Sequence, residues 1–234
     1  MTTIQNQLPT QLQSVRARVA AACQAAGRAA SEVTLLAVSK TVGPEVVTQA
    51  YDAGQTAFGE NYIQEAVEKI IQLRHLPLQW HCIGPIQSNK TRLVAEHFDW
   101  VQSVDRLKIA QRLSEQRPPH LPPLQVCIQV NVDGGATKSG VLPKDALALA
   151  QEVVALPGLR LRGVMSIPEP APDFVAACAL FLRVKAVFDA LNAEGLALDT
   201  LSMGMSADME AAIHAGSTMV RVGSAIFGGR PKPT

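Results

Sequence analysis

The sequence lacks several features that would each assign it to a special class of protein. Its 21 basic and 20 acidic residues leave a net charge of +1, so we do not expect nucleic acid or an anionic membrane surface as the main partner. Its four cysteines lie far apart and form no Cys-x-x-Cys pair, which argues against a zinc site or a disulfide scaffold and favours a reducing cytoplasm. No apolar run approaches the roughly 20 residues of a membrane helix, and no signal-peptide core is recognisable. The 234 residues, 47% hydrophobic, suit one globular domain with a single core.

Acidic residues are also missing from the first 31 positions, which contain three arginines. A mitochondrial presequence has this composition. The apolar residues of the segment instead recur at helical spacing, which is typical of a helix packed on a domain. They are Ile4, Leu8, Leu12, Val15, Val19 and Ala22. We therefore expect a single domain over 1–234, with an N-terminal helix over about 5–27 and the rest of the fold over about 33–230.

Beyond that helix, strand-like apolar runs alternate with amphipathic stretches to the end of the chain. The predicted strands are 33–39, 56–59, 79–83, 100–103, 125–131, 159–165, 198–202 and 218–222. Eight βα units with right-handed crossovers predict an α/β fold, a single-domain (β/α)8 TIM barrel with an additional N-terminal helix. The alternative is an open doubly wound sheet, although no Gly-x-Gly-x-x-Gly turn follows the first strand.

Polar side chains recur at the carboxyl ends of the predicted strands, the face on which barrels build their sites. The first of them is Lys40, which closes the apolar run 33–39. Burial of an ammonium is costly, and desolvation favours the neutral amine that can attack a carbonyl. Lys40 is therefore a candidate Schiff-base lysine. The alternative is a strand-terminal lysine whose ammonium extends to solvent.

Two segments rich in glycine and serine follow the seventh and eighth strands. They are 202–206, which precedes a helix predicted over 207–215, and 222–224. Barrel phosphate sites are commonly made by the loops at these two positions, where backbone N–H groups face the anion. The candidate phosphate contacts are Ser206, Gly223 and Ser224. The alternative for the first of them, Ser206, is a plain N-cap of the short helix.

Arg221 interrupts a run that otherwise suits a buried strand, and a buried guanidinium must find a partner. That partner could be a core carboxylate. It could instead be a ligand's phosphate or ring nitrogen, since an arginine or aspartate that faces the pyridine nitrogen recurs in pyridoxal phosphate sites. Together with Lys40 and the two phosphate segments, this pattern favours a ligand as the partner of Arg221, as in sites for pyridoxal 5′-phosphate (PLP).

Further side chains at strand ends complete the predicted cofactor contacts. They are Asn61, His81, Asn131, Met165 and Ser166. For His81 a contact to the cofactor is favoured over proton transfer, and the alternative is a satisfied core or rim histidine. For Asn131 the alternative is a cap of the turn at 132–135.

Several ordered motifs of the chain resemble the pyridoxal phosphate homeostasis proteins, the YggS/PROSC family. The motifs are Leu36-Ala37-Val38-Ser39-Lys40, Phe58-Gly59-Glu60-Asn61-Tyr62, His81-Cys82-Ile83-Gly84-Pro85-Ile86-Gln87-Ser88-Asn89-Lys90, Lys138-Ser139-Gly140, Ser202-Met203-Gly204-Met205-Ser206 and Val220-Arg221-Val222-Gly223. The resemblance extends from about residue 5 to Arg230. It departs from the family at Cys82, where an aromatic residue is usual, and at 134–136, where the family has a more polar loop. Neither departure touches the lysine or the phosphate segments.

The resemblance implies a barrel similar to the N-terminal domain of alanine racemase, with PLP held as a Schiff base on Lys40. Members of the family are regarded as carriers or regulators of the cofactor and of amino- and keto-acid pools. We also expect PLP-dependent apo-enzymes as recipients of the cofactor, and no nucleic acid, membrane or metal as a partner. We expect a cytoplasmic monomer with no strong turnover and no catalytic residue.

The alternative function is that of a PLP-dependent amino-acid racemase. Racemization needs a base on each face of the substrate, and the related racemases supply the second as a tyrosine from another domain and subunit. Here we expect the barrel to consume the chain, which leaves only 226–234 beyond its last strand. An arginine opposite the ring nitrogen would also disfavour the protonated ring on which carbanion chemistry relies. A Schiff-base aldolase without cofactor is a third possibility, for which Lys40 on the first strand is unusual.

Overall fold

A computed structural model describes residues 7–135 and 139–229, in which eight parallel strands close into a barrel. The order of the strands around the barrel is their order in the chain, and the first pairs with both the second and the eighth. The strands are β1 (Thr34–Val38), β2 (Ala57–Glu60), β3 (Gln79–Cys82), β4 (Trp100–Val104), β5 (Leu124–Gln129), β6 (Leu159–Met165), β7 (Thr200–Ser202) and β8 (Met219–Val222). The predicted (β/α)8 fold is confirmed, and the doubly wound alternative is wrong.

Within the described residues, one α-helix precedes the barrel, and one follows each strand. The helices are α1 (Leu8–Ala25), α2 (Pro44–Asp52), α3 (Ile63–Gln72), α4 (Thr91–His97), α5 (Leu107–Gln116), α6 (Pro143–Val154), α7 (Phe174–Ala193), α8 (Met209–His214) and α9 (Ser224–Phe227). Short 3-10 turns precede β1 and α4. Among the described residues, no helix has the length and apolar character needed to cross a membrane.

The N-terminal helix α1 packs on the barrel as its apolar stripe predicts. Leu8, Leu12, Val15 and Val19 are all buried, whereas Ile4 lies outside the described residues. The arginines of the segment bind the domain. For example, the guanidinium of Arg28 donates to the carbonyl oxygens of Ile213 and Ser217, each at 2.8 Å. The basic character of this segment therefore serves helix packing.

The strands divide the core into two parts because successive side chains face opposite sides of a sheet. One part lies between the strands and the helices and is apolar, with side chains such as Val220 and Val222. The other part fills the barrel interior, where small apolar clusters share the space with buried polar groups. The buried polar residues that face inward include His81, Gln102, Ser202 and Arg221. This polar interior leads to the carboxyl ends of the strands.

Candidate functional site

Lys40 lies at the carboxyl end of β1, two residues past the last strand residue. It continues the alternation of Leu36 and Val38, which pack inside the barrel with Ile83 and Met219. Its side chain is half-buried, so it is neither a fully buried charge nor an open surface lysine. Strand alternation therefore directs the Lys40 amine to the mouth of the barrel.

A buried ion pair fixes the backbone beside Lys40. Lys69 on α3 and Glu60 at the end of β2 pair at 2.5 Å, with side chains 8% and 1% exposed. The Lys69 ammonium also donates to the carbonyl oxygen of Ser39 at 2.8 Å, and the Ser39 hydroxyl donates to Glu60 at 2.9 Å. Burial raises the pKa of Glu60, and the charge of Lys69 opposes that rise. The pair thus ties the end of β1 to the end of β2, immediately before Lys40 and Asn61.

Asn61 presents an unsatisfied polar atom at this end of the barrel. Its side-chain oxygen is buried and has no hydrogen-bond partner among the residues that the structure describes. Buried polar atoms are nearly always paired in folded proteins, so such an atom indicates a place where a ligand or water belongs. Asn61 therefore fits a role in holding a bound molecule.

Arg221 carries a buried charge, and no described carboxylate lies at ion-pair distance. The residue is 3% exposed, and two of its donors are used within the barrel, to the Ser202 hydroxyl at 2.7 Å and the Ser166 carbonyl oxygen at 3.0 Å. Desolvation lowers the pKa of Arg221 to about 10, and the more distant charge of Asp208 opposes this shift. The guanidinium stays protonated at neutral pH. The sequence left two partners open for Arg221, a core carboxylate and a ligand. The described residues do not provide the carboxylate.

Met165 and Ser166 extend the wall beside Arg221. Met165 is fully buried in the barrel interior against Trp100 and Cys127. The hydroxyl of Ser166 donates to the carbonyl oxygen of Val130 at 2.8 Å. This bond holds the backbone of Ser166, whose carbonyl oxygen accepts a hydrogen bond from Arg221. The direct cofactor contacts expected of Met165 and Ser166 stay predictions.

The two segments predicted to hold a phosphate meet at the mouth of the barrel. The hydroxyl oxygens of Ser206 and Ser224 lie 3.3 Å apart. A Cβ atom at Gly223 would lie 3.2 Å from the carbonyl oxygen of Val38, which shows how closely this turn approaches the end of β1. These contacts bring the loops after β7 and β8 together beside the end of β1, two residues before Lys40.

The helix-capping alternative for Ser206 is wrong. Helix α8 begins at Met209, and Asp208 occupies the position before it. The carboxylate of Asp208 accepts from the N–H of Met205 at 2.7 Å, which closes a turn around Ser206. The Ser206 hydroxyl is therefore not used in a helix cap.

His81 and Asn131 are both engaged by the protein. His81 is fully buried, and its two ring nitrogens contact the side chains of Gln79 at 3.0 Å and Gln102 at 2.9 Å. The amide of Asn131 bonds to Gly134 and Gly135, which is the turn cap that the sequence left open. A cofactor contact from either residue stays a prediction. Gln102, Glu60 and Lys69 are the polar residues of this region that sequence reasoning missed.

Burial of His81 should make the free energy of unfolding of the protein depend on pH in the acid range. Desolvation lowers the pKa of His81 to about 3, below the ordinary value of about 6.5. Below pH 6.5 the His81 imidazole therefore binds a proton in the unfolded chain but not in the folded chain. The free energy of unfolding consequently falls as the pH falls toward 3. We expect His81 to contribute up to about 1.4 kcal/mol per pH unit to this loss. Urea unfolding at pH 7, 6 and 5 measures the slope, which His81→Asn should reduce and a matched change at the exposed His120 should not. An unchanged slope in His81→Asn would contradict the burial effect.

Comparison with known proteins adds to this geometry. Residues 11–231 match the family model described as the alanine racemase N-terminal domain. A pyridoxal phosphate homeostasis protein of Pseudomonas aeruginosa is 61% identical over 216 residues, which cover 92% of this chain and 93% of the relative. PipY of Synechococcus elongatus, whose structure has PLP bound, has 35% identity and a TM-score of 0.82, and the alignment covers 95% of this chain and all of PipY.

A fourth comparison concerns the fold alone. An alanine racemase of Clostridium difficile has a TM-score of 0.73 at 15% identity, and the alignment covers 97% of this chain but 58% of the racemase. Lys138, one of the motif residues that suggested the family, lies outside the described residues. Arg230, where the resemblance ends, also lies outside them. The extent of the family match and the identity to the Pseudomonas relative are both decisive. The chain belongs to the alanine racemase N-terminal domain family and, within it, to the pyridoxal phosphate homeostasis proteins.

Proposed function

We propose that the protein binds PLP at the mouth of its barrel and acts in cofactor homeostasis, as a carrier or regulator of PLP and of amino- and keto-acid pools. The observation that carries the proposal is the buried charge of Arg221, which has no described carboxylate partner and lies at the same end of the barrel as Lys40. A ligand with an aldehyde, an anionic group and a ring nitrogen matches that arrangement. The name of the Pseudomonas relative and the PLP bound to PipY support the same ligand.

Each group of the site has a part in this proposal. The amine of Lys40 holds the cofactor's aldehyde as a Schiff base. Ser206, Gly223 and Ser224 bind the phosphate with hydroxyl and backbone donors. Asn61 supplies a polar contact beside the lysine. His81, Asn131, Met165 and Ser166 support the ring or its surroundings.

Arg221 explains why we expect a holder of PLP in place of an efficient enzyme. Bound PLP supplies an electron sink, which works best when its ring nitrogen is protonated. Arg221 remains protonated because even its lowered pKa is about 10, so it can only donate a hydrogen bond to that nitrogen. A hydrogen-bond donor at this point disfavours protonation of the ring nitrogen. The racemase alternative also needs a second base. The similarity of this chain to the racemase barrel, at 15% identity, supports the fold alone.

The finer features of this function belong to the proposal as well. We assign the chain a single domain over 1–234, a cytoplasmic location, a monomeric state and PLP-dependent apo-enzymes as recipients. The four cysteines support a reducing location, since all are buried and unpaired. The near-complete mutual coverage with PipY supports one barrel as the working unit.

Titration of the purified protein with PLP tests the proposal. We expect a saturable visible absorption band at one PLP per chain, and transfer of PLP to an apo-transaminase that regains activity when the loaded protein is added. L-Alanine incubated with the loaded protein should keep its configuration on chiral chromatography. Rapid racemization would overturn the homeostasis function in favour of the racemase, and failure to bind PLP would overturn both.

A further inference from the structure

A continuous line of hydrogen bonds crosses the barrel interior beneath Arg221. The guanidinium contacts the Ser202 hydroxyl at 2.7 Å, and that hydroxyl contacts the side-chain oxygen of Gln102 at 2.5 Å. The amide nitrogen of Gln102 lies 2.9 Å from Nδ1 of His81, and Nε2 of His81 lies 3.0 Å from the side-chain oxygen of Gln79. The five residues come from strands β8, β7, β4 and β3. The line therefore connects side chains that closure of the barrel alone brings together.

The direction of every bond in this line follows from the chemistry of its first member. A guanidinium has donors only, so the Ser202 oxygen must accept from Arg221. The Ser202 proton is then free to go to the oxygen of Gln102, which leaves the Gln102 amide to donate to Nδ1 of His81. His81 must therefore carry its proton on Nε2, where it donates to Gln79. All bonds run from Arg221 toward the amino ends of the strands.

The surroundings hold the middle of the line rigidly. Gln102, Ser202 and His81 are each completely buried. The His81 ring stacks on Trp100, with ring centroids 4.9 Å apart, and the same Gln102 nitrogen lies 3.1 Å from the Met219 sulfur. Burial keeps His81 neutral at physiological pH, because its pKa is lowered to about 3. A neutral imidazole with Nδ1 as acceptor suits the donor of Gln102.

We propose that Gln102, oriented by His81, is a positioning residue that acts through Ser202 to fix the Arg221 guanidinium against the ring nitrogen of PLP. Gln102 takes the Ser202 proton, so Ser202 presents only a lone pair to Arg221. Without Gln102 the hydroxyl is free to turn, and the guanidinium loses its fixed direction. This inference rests on the proposed function, since it assumes that Arg221 faces the ring.

The test compares PLP with its 1-deaza analogue, in which a C–H replaces the ring nitrogen. Both carry the aldehyde and the phosphate, so Lys40 and the phosphate segments bind them alike, and only Arg221 distinguishes the two. We expect the wild-type protein to prefer PLP by about 10- to 100-fold, the range for one hydrogen bond to a charged group. Gln102→Met keeps the length of the side chain and removes the amide, and it should narrow the preference at least fivefold. Ser202→Ala is a smaller change that serves as the second variant if Gln102→Met folds poorly. It should also narrow the preference for PLP over the analogue.

A second buried glutamine provides the matched control. Gln55 is 4% exposed and donates to the carbonyl oxygens of Leu35 and Ala57, outside this line. Gln55→Met should weaken the fold but leave the preference for PLP over the analogue unchanged. In an Arg221→Met background, Gln102→Met should have no further effect on the preference, because the residue acts only through Arg221.

The outcomes separate this inference from the proposed function. Wild-type protein that binds no PLP would overturn both. Normal PLP binding with the same preference in wild type, Gln102→Met and Ser202→Ala would overturn only the positioning role. Nitrogen NMR of the protein without cofactor gives an independent reading: we expect the His81 proton on Nε2, and a proton on Nδ1 would overturn the assigned direction.

Discussion

Replacement of Lys40 by alanine is expected to abolish the visible band of the PLP-loaded protein and all incorporation of cofactor after borohydride reduction. The reason is positional. Lys40 continues the inward alternation of β1 and is half-buried at the mouth, so its amine reaches the site with little reorganisation. Lys69, which lies nearby, is bound to Glu60 and Ser39 and is buried. It cannot replace Lys40 without breaking a buried ion pair, a change that typically costs about 3–5 kcal/mol.

Peptide mapping of the reduced wild-type protein supplies the direct measurement. The pyridoxyl group should appear on the peptide that contains Lys40. Lys90→Ala is the matched control, since Lys90 is also half-buried in the turn after β3, and it should leave the band unchanged. An adduct found mainly on Lys90 or on Lys138 would contradict the assignment.

The sequence predicted the barrel and the face that carries the site because both depend on local patterns. Apolar runs alternate with amphipathic stretches eight times, and the strands they predict agree with the structure to within two residues at every end. Lys40 and Arg221 stood out because a charge interrupts or closes an apolar run, which is visible in one dimension. The fold then follows, since parallel strands with helical crossovers have few ways to close.

The partners of the buried polar groups could not be predicted in this way. Gln102 meets Ser202 across a hundred residues of chain, and Glu60 meets Lys69, which lies on the buried face of α3. Such pairs depend on the register in which the strands close, which no local pattern encodes. The one usable signal was alternation: Gln102 lies two residues from Trp100 on the same face of β4, so a polar group inside the barrel was to be expected. Its direction toward Arg221 required the structure.

Removal of the phosphate from the ligand is expected to reduce affinity by two orders of magnitude or more. Pyridoxal keeps the aldehyde and the ring nitrogen, so Lys40 and Arg221 remain available to it. It would lose the charge-assisted hydrogen bonds that we propose for the loops after β7 and β8, each worth about 1.5–3 kcal/mol. Two such bonds correspond to roughly 100-fold or more in the dissociation constant. Titration with PLP and with pyridoxal under the same conditions measures the ratio.

Variants of the phosphate segments show whether the ratio arises where we place it. Ser206→Ala and Ser224→Ala each remove one of two hydroxyls that lie 3.3 Å apart, and each should weaken PLP about tenfold while pyridoxal binding changes little. Gly223→Ala should do the same, because the added Cβ would lie 3.2 Å from the Val38 carbonyl oxygen and displace the turn. Gly229→Ala is the matched control, since a Cβ there would meet no heavy atom of the described residues within 4 Å. A similar fall in affinity for both ligands would mean that these changes disturb the mouth of the barrel in general. Equal affinity of the wild-type protein for PLP and pyridoxal would mean that Ser206, Gly223 and Ser224 hold no phosphate.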